Sequence, residues 1–345
     1  MSSQSHPQSL LRLFATSAIV TLLILIVIFI YLGLSAALLT LVLVMIEVTF
    51  SFDNAVVNAK VLGTLSLFWQ KIFVTLGVLI AVFGMRIVFP ILVVMLTSRL
   101  GWGDVVTLAL QHPNEYAARL TEAHTGIASF GGLFLLMLAL QFFFDPERKV
   151  HWITRFERPL QRSGSWLFYT SVSFLILVVV SFSPMNKRPM DTFAAGVAGI
   201  ITYLLVQLLT SVFDHDGNAG HSIQKAGVAG FIGFLYLEVL DASFSFDGVI
   251  GAFAITNNVV LIAAGLGIGA LWVRSLTLFM VRHKLLESYR FLEHGAHYTI
   301  GILALILLFS LFKDVPEYVA GSIGVVIIGL AIVSSIRATR SEHSN

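Results

Sequence analysis

Five carboxylates and two guanidiniums stand inside stretches otherwise built of apolar residues: Glu47, Asp53, Glu238, Asp241 and Asp247, with Arg86 and Arg274. A charge at the centre of a membrane-spanning helix costs about 2.5–3.5 kcal/mol on insertion scales, so each of the seven needs a partner or a use. Four of the acids belong to one recurring string. Residues 47–53 read Glu-Val-Thr-Phe-Ser-Phe-Asp, and residues 241–247 read Asp-Ala-Ser-Phe-Ser-Phe-Asp. Each string is followed by a glycine and, nine residues on, an arginine: Gly77 with Arg86, and Gly265 with Arg274. Glu238 breaks the repeat, because Val44 holds its place in the first copy. At 100° per residue, Glu47, Ser51, Asn54 and Asn58 share one helical stripe, and Glu238, Asp241, Ser245 and Gly248 share another. Asp53 and Asp247 lie about 120° off those stripes. Either they face another neighbour or the helix unwinds beside them, and Gly248 favours unwinding in the second copy.

Two kinds of chemistry fit these residues. Carboxylates, hydroxyls and amides without cysteine are hard oxygen ligands, suited to manganese, magnesium or calcium rather than copper or zinc. Five ionised acids and two arginines leave −3, which one divalent cation reduces to −1. The alternative is structural: buried acid–arginine pairs that hold helices together. Rise per residue puts Arg86 roughly 22 Å and Glu47 roughly 20 Å from the same membrane face, so each arginine is level with the first acid of its motif.

The elements that must position these groups are membrane helices. The chain has 345 residues, 57% hydrophobic and 12% charged, against the ~25% charged expected of a soluble domain. Ten segments can span a bilayer: 11–32, 34–60, 71–96, 126–144, 165–183, 192–213, 226–255, 259–281, 291–312 and 316–336. The expected fold is an all-α polytopic transmembrane bundle of about ten helices. The first segment is read as a retained span, its apolar run being longer than a signal-peptide core. Basic flanking residues divide 14 to 5 in favour of the side that holds the N-terminus, which predicts cytoplasmic termini. The second and seventh segments then run in opposite directions. Residues 34–145 and 226–312 become two inverted-topology repeats within a single membrane domain, an architecture that places binding sites near the bilayer midplane.

Other features carry less. His294 and His297, beside Glu293, could bind a metal or simply sit at a helix mouth. The loop around Asp214, His215, Asp216 and His221 reads as solvated, the stretch 112–125 as a polar outer connection, and 148–162 as a basic connector near lipid headgroups. Gly265, Gly267 and Gly269 allow close helix packing. Net charge of +2 gives no field for nucleic acid, and the absence of cysteine leaves no thiolate site.

The run Glu47, Phe50-Ser51-Phe52-Asp53-Asn54-Ala55-Val56, with Phe253-Ala254-Ile255-Thr256 closing the second copy, resembles the TerC family of membrane proteins. That family shows an acid-x-x-Leu-Ser-x-Asp-Asn-Ala-Val motif in one half and an Asp-led motif ending in Phe-Ala-Ile-Thr in the other. Here the second motif lacks the family's Asp-Ser-Ile-Pro form. The resemblance implies a link to manganese export, tellurite resistance and the lysine-exporter superfamily. It also implies Glu47, Asp53, Asn54, Asp241 and Asp247 as ligands.

The expectation is a non-enzymatic transporter, exporting manganese or a similar divalent cation across a bacterial inner membrane. Its metal ligands are Glu47, Asp53, Asn54, Glu238, Asp241 and Asp247, and Arg86 and Arg274 balance their charge. The cation is the substrate, no prosthetic group is expected, and the partners are lipid, the ion and, in principle, further copies of the chain. The alternatives are a non-transporting membrane scaffold in metal or tellurite stress and, behind it, an intramembrane metal-dependent enzyme.

Overall fold

The computed structural model describes residues 7–214, 225–313 and 315–343, without the side chains of 7–13, 210, 212–214, 244–247, 250, 254, 317, 318, 320 and 341–343. Those residues are helical almost throughout. The extended pairing among them is one isolated bridge between Leu65 and Lys225. Among the described residues, seven helices are long and apolar enough to cross a membrane, or nine if each of two bent pairs is one span. The chain is a polytopic all-α bundle.

The ten expected segments each fall on one helix or one helix run. They are α1 (Pro7–Leu32), α2 with α3 (Leu34–Phe50, Phe52–Thr64), α4 to α5 (Leu67–Leu79, Phe89–Ser98), α7 (Pro113–Phe144) and α9 (Trp166–Ser181). After them come α10 (Pro189–Asp214), α11 (Gly227–Ile255), α12 (Val259–Arg282), α14 (Leu292–Ser310) and α15 (Glu317–His343). Short helices α6 (Trp102–Gln111), α8 (Thr154–Arg162) and α13 (Leu285–Ser288) join them.

The polar stretch 112–125, expected as a connection, instead supplies the first turns of α7. Pro113 begins that helix, where a missing N–H is harmless, and an i,i+4 pair between Arg119 and Glu115 at 2.8 Å supports it. Helix α7 is the most enclosed of the spans, while α1 shows most of its apolar surface outward. Helix α1 is fastened to α12 by Ser17–Ser275 (2.8 Å) and by Trp272 Nε1 donating to Thr21 (3.0 Å).

The Leu65–Lys225 bridge fixes the relation of the two acidic helices. Ser66 N–H donates to the Lys225 carbonyl and Lys225 N–H to the Thr64 carbonyl, so α3 ends where α11 begins. The two copies of the acidic string therefore run in opposite directions through the bundle. The glycines in front of the arginines serve matching purposes. A Cβ on Gly265 would lie 2.5 Å from Leu43 Cβ of α2, and a Cβ on Gly77 would lie 2.8 Å from Glu238 of α11. Each glycine lets the acidic helix of the other copy approach its backbone.

Unwinding occurs in the first copy, not the second. Helix α11 continues through Gly248, whereas α2 and α3 meet at Ser51 (φ −97°, ψ 17°) with a bend of 54°. Gly248 makes room instead, since a Cβ there would lie 3.0 Å from Glu47 Oε2. At the bend, the Asn54 amide turns to the Asp53 carboxylate (2.9 Å), and Asp53 occupies the first turn of α3, where the helix dipole favours a negative charge.

Candidate functional site

The bend delivers the first copy's polar stripe to the centre of the bundle. Glu47, at the end of α2, accepts from Ser51 Oγ at 3.3 Å and pairs with the Arg86 guanidinium. Asn58 donates to Asn54 at 2.8 Å, so the predicted stripe holds two bonded pairs, Glu47–Ser51 and Asn54–Asn58. Arg86 lies in a π-helical stretch, Ile80–Val88, between α4 and α5. Long π-helical turns are rare, and they mark places where the backbone has been adjusted for a function.

The second copy builds the matching pair more fully. Arg274, on α12, donates through Nη1 to Glu238 Oε1 (3.0 Å) and through Nη2 to Glu238 Oε2 (3.2 Å) and Asp241 Oδ2 (3.2 Å). Its guanidinium also lies 4.0 Å from the centroid of the Phe73 ring. Asn54 Nδ2 donates to Asp241 Oδ1 at 3.0 Å, which ties the two copies together. Glu238 thus has a clear place: it doubles the acid opposite Arg274 where Val44 supplies none opposite Arg86.

All of these groups are buried: Glu47, Asp53, Asn54, Asn58, Arg86, Glu238, Asp241 and Arg274. Asp53 differs from the other acids. Among the described residues it has no cationic partner, and its recorded donor is the Asn54 amide. Each copy therefore forms an acid–arginine pair, Glu47 with Arg86 and Glu238 and Asp241 with Arg274, and Asn54 of the first copy bonds Asp241 of the second. Among the described residues no group of three His, Asp or Glu side chains is placed to hold a metal ion. The Asp247 and Ser245 side chains lie outside the described residues, as does the loop with His215, Asp216 and His221.

Space around the pairs is uneven. Between Glu47, Asn54, Arg86, Asp241 and Arg274 the gap is only about 10 Å³, room for a single water at most. On one side of it a cavity of about 270 Å³ reaches Glu47, Ser51, Asp53 and Gly248, with His124 and Ser310 along its wall. On the other side a cavity of about 520 Å³ begins at Val57 and extends past Lys60, Tyr236 and Lys225. The smaller cavity touches the charged layer at Glu47 and Asp53, at the start of α3, and the larger one borders the later turns of α3 from Val57 to Thr64 without reaching the paired charges.

Phe73, the π-helical stretch and the bend at Ser51 carry no sequence signal of their own. His294 and His297 each engage a backbone carbonyl and the Phe142 ring. His297 stacks on Phe142 at 3.9 Å and meets the Glu293 carbonyl, while His294 meets the Val150 carbonyl. Glu293 pairs with Lys60.

The chain belongs to a family described as proteins of unknown function, DUF475, whose model matches residues 52–342. No curated protein and no solved structure matches it.

Proposed function

We propose that this member of the DUF475 family is a membrane transporter that carries a divalent cation, manganese first among the candidates, by alternating access. The observation that carries the reading is the layer of buried, paired charges with one cavity open onto Glu47 and Asp53 and a second along the far half of α3. A purely structural ion-pair network needs no cavity on either face, whereas a carrier needs both. Five carboxylates against two guanidiniums leave −3, which one divalent cation reduces to −1. In this reading Asp53 and Glu47 take the ion from the smaller cavity. Asp241, Asn54 and Glu238 receive it as the copies rock, and Arg86 and Arg274 hold the acids when the ion is absent.

The resemblance to the TerC family supports manganese and the export direction. The 14-to-5 basic bias supports cytoplasmic termini in an inner membrane, with the larger cavity facing the cytoplasm. The test is flux of manganese, calcium and magnesium in proteoliposomes. Glu47→Gln and Asp241→Asn remove charge with little change of shape and are expected to lower flux at least tenfold. Thr75→Val, whose hydroxyl bonds only its own helix, is expected to leave flux unchanged. Wild-type flux in both carboxamide variants would refute the ligand assignment, and absence of flux for every ion in the wild type would refute transport.

A further inference from the structure

A second polar cluster lies outside the charged layer. Glu157, on α8, is fully buried, and its carboxylate already accepts from the Trp152 amide (3.2 Å), the Ile153 amide (3.1 Å) and Tyr298 Oη (3.0 Å). Arg148 lies 3.4 Å from the same carboxylate and over the Phe142 ring, with its side chain 7% exposed. Charge balance is met, but hydrogen bonding is not. Nε, Nη1 and Nη2 of Arg148 have no acceptor, and neither does buried Nδ1 of His294. Leaving a buried charged donor without an acceptor is expensive, and such groups call for a missing partner.

Arg148 and His294 line a cavity of about 560 Å³ that also presents Lys149, Arg290, Ser288 and Thr339. Its two acids are already engaged: Glu287 with Lys284 at 3.3 Å and Glu293 with Lys60. Counted over the lining side chains, Arg148, Lys149 and Arg290 against Glu287 and Glu293 leave a net +1, and the wall is rich in donors. Its volume exceeds a bare ion and suits a group the size of a headgroup or a nucleotide. We infer that this cavity binds a phosphate-bearing ligand, with the planar Arg148 guanidinium as its fork and Lys149 and Arg290 as supporting charges. Arginine forks match phosphate oxygens in pairs, which is the pattern the unpartnered nitrogens of Arg148 leave open. The inference does not depend on transport, and a binding measurement tests it separately.

The experiment uses the full chain in phosphatidylcholine nanodiscs. One arm titrates inorganic phosphate and ATP, with chloride at matched ionic strength as the reference, and follows thermal stability. A second arm replaces part of the lipid with anionic phosphatidylglycerol and counts retained lipids by native mass spectrometry. Arg148→Lys probes the fork. Lys149→Gln with Arg290→Gln, both on exposed side chains, probes the supporting charges without touching the buried cluster. Loss of one charge-assisted contact is expected to weaken binding roughly tenfold or more. Response in the first arm identifies a soluble phosphate, and response only in the second identifies a lipid headgroup. Binding in neither arm, or equal binding by the wild type and the Lys149/Arg290 variant, would overturn the proposal.

Discussion

Replacing Arg274 with Met keeps the apolar stem of the side chain and removes the guanidinium. The lost contacts are three charge-assisted hydrogen bonds of 3.0–3.2 Å to Glu238 and Asp241, with the ring of Phe73 left uncovered. Arg274 is only 3% exposed, so water does not repair the loss. Removing one partner of a buried pair costs about 3–5 kcal/mol, and two carboxylates left side by side place Arg274→Met at the upper end. At about 2 °C per kcal/mol for a long chain, the apparent melting temperature should fall by roughly 10 °C. The assay is fluorescence-detected unfolding of the solubilised protein. Glu238 makes two of the three carboxylate contacts, and Asp241 keeps its bond from Asn54. Adding Glu238→Gln should therefore recover more stability than adding Asp241→Asn. Arg188→Met breaks an exposed pair with Glu122 and should cost about 0–1 kcal/mol. A stable Arg274→Met protein, or rescue by Asp241→Asn alone, would refute the pairing.

Crowding around Glu47 gives a second test. Gly269→Ala sets a Cβ against the Glu47 side chain and should cost about 1–3 kcal/mol and lower flux, while Gly63→Ala meets open space and should be neutral or slightly stabilising in the same thermal assay. Reporter fusions after Asn345 and in the exposed part of α8 should both read cytoplasmic, and an external signal from either would reverse the assignment of the two cavities.

The pairing of acids with arginines was legible because depth follows from counting residues along a helix. Glu47 meets Arg86 and Asp241 meets Arg274, as their levels predict. The Glu47–Ser51 and Asn54–Asn58 contacts follow from helical spacing in the same way. Direction around the axis at a bend does not follow from counting. Gly248 looked like a break in α11, yet the bend lies at Ser51, because glycine there gives space to Glu47 rather than freedom to the backbone. The Asn54–Asp241 bond and the Phe73 ring join segments far apart in the chain, and periodicity within one segment says nothing about either. The connector 148–162 read as a basic segment near lipid headgroups because its composition is polar and cationic. Tertiary contacts instead bury Glu157 and enclose Arg148, and composition carries no trace of them.

The charge of the central layer has an electrical consequence. A membrane potential does work of about 2.3 kcal/mol on each elementary charge per 100 mV crossed. In the proposed carrier a layer carrying −3 would feel that work whenever it shifted within the field, and the same layer holding a divalent cation, at −1, would feel about a third of it. Voltage would then act more strongly on the return of the empty carrier than on the loaded step. The polarity of the membrane would decide at which face the empty carrier waits.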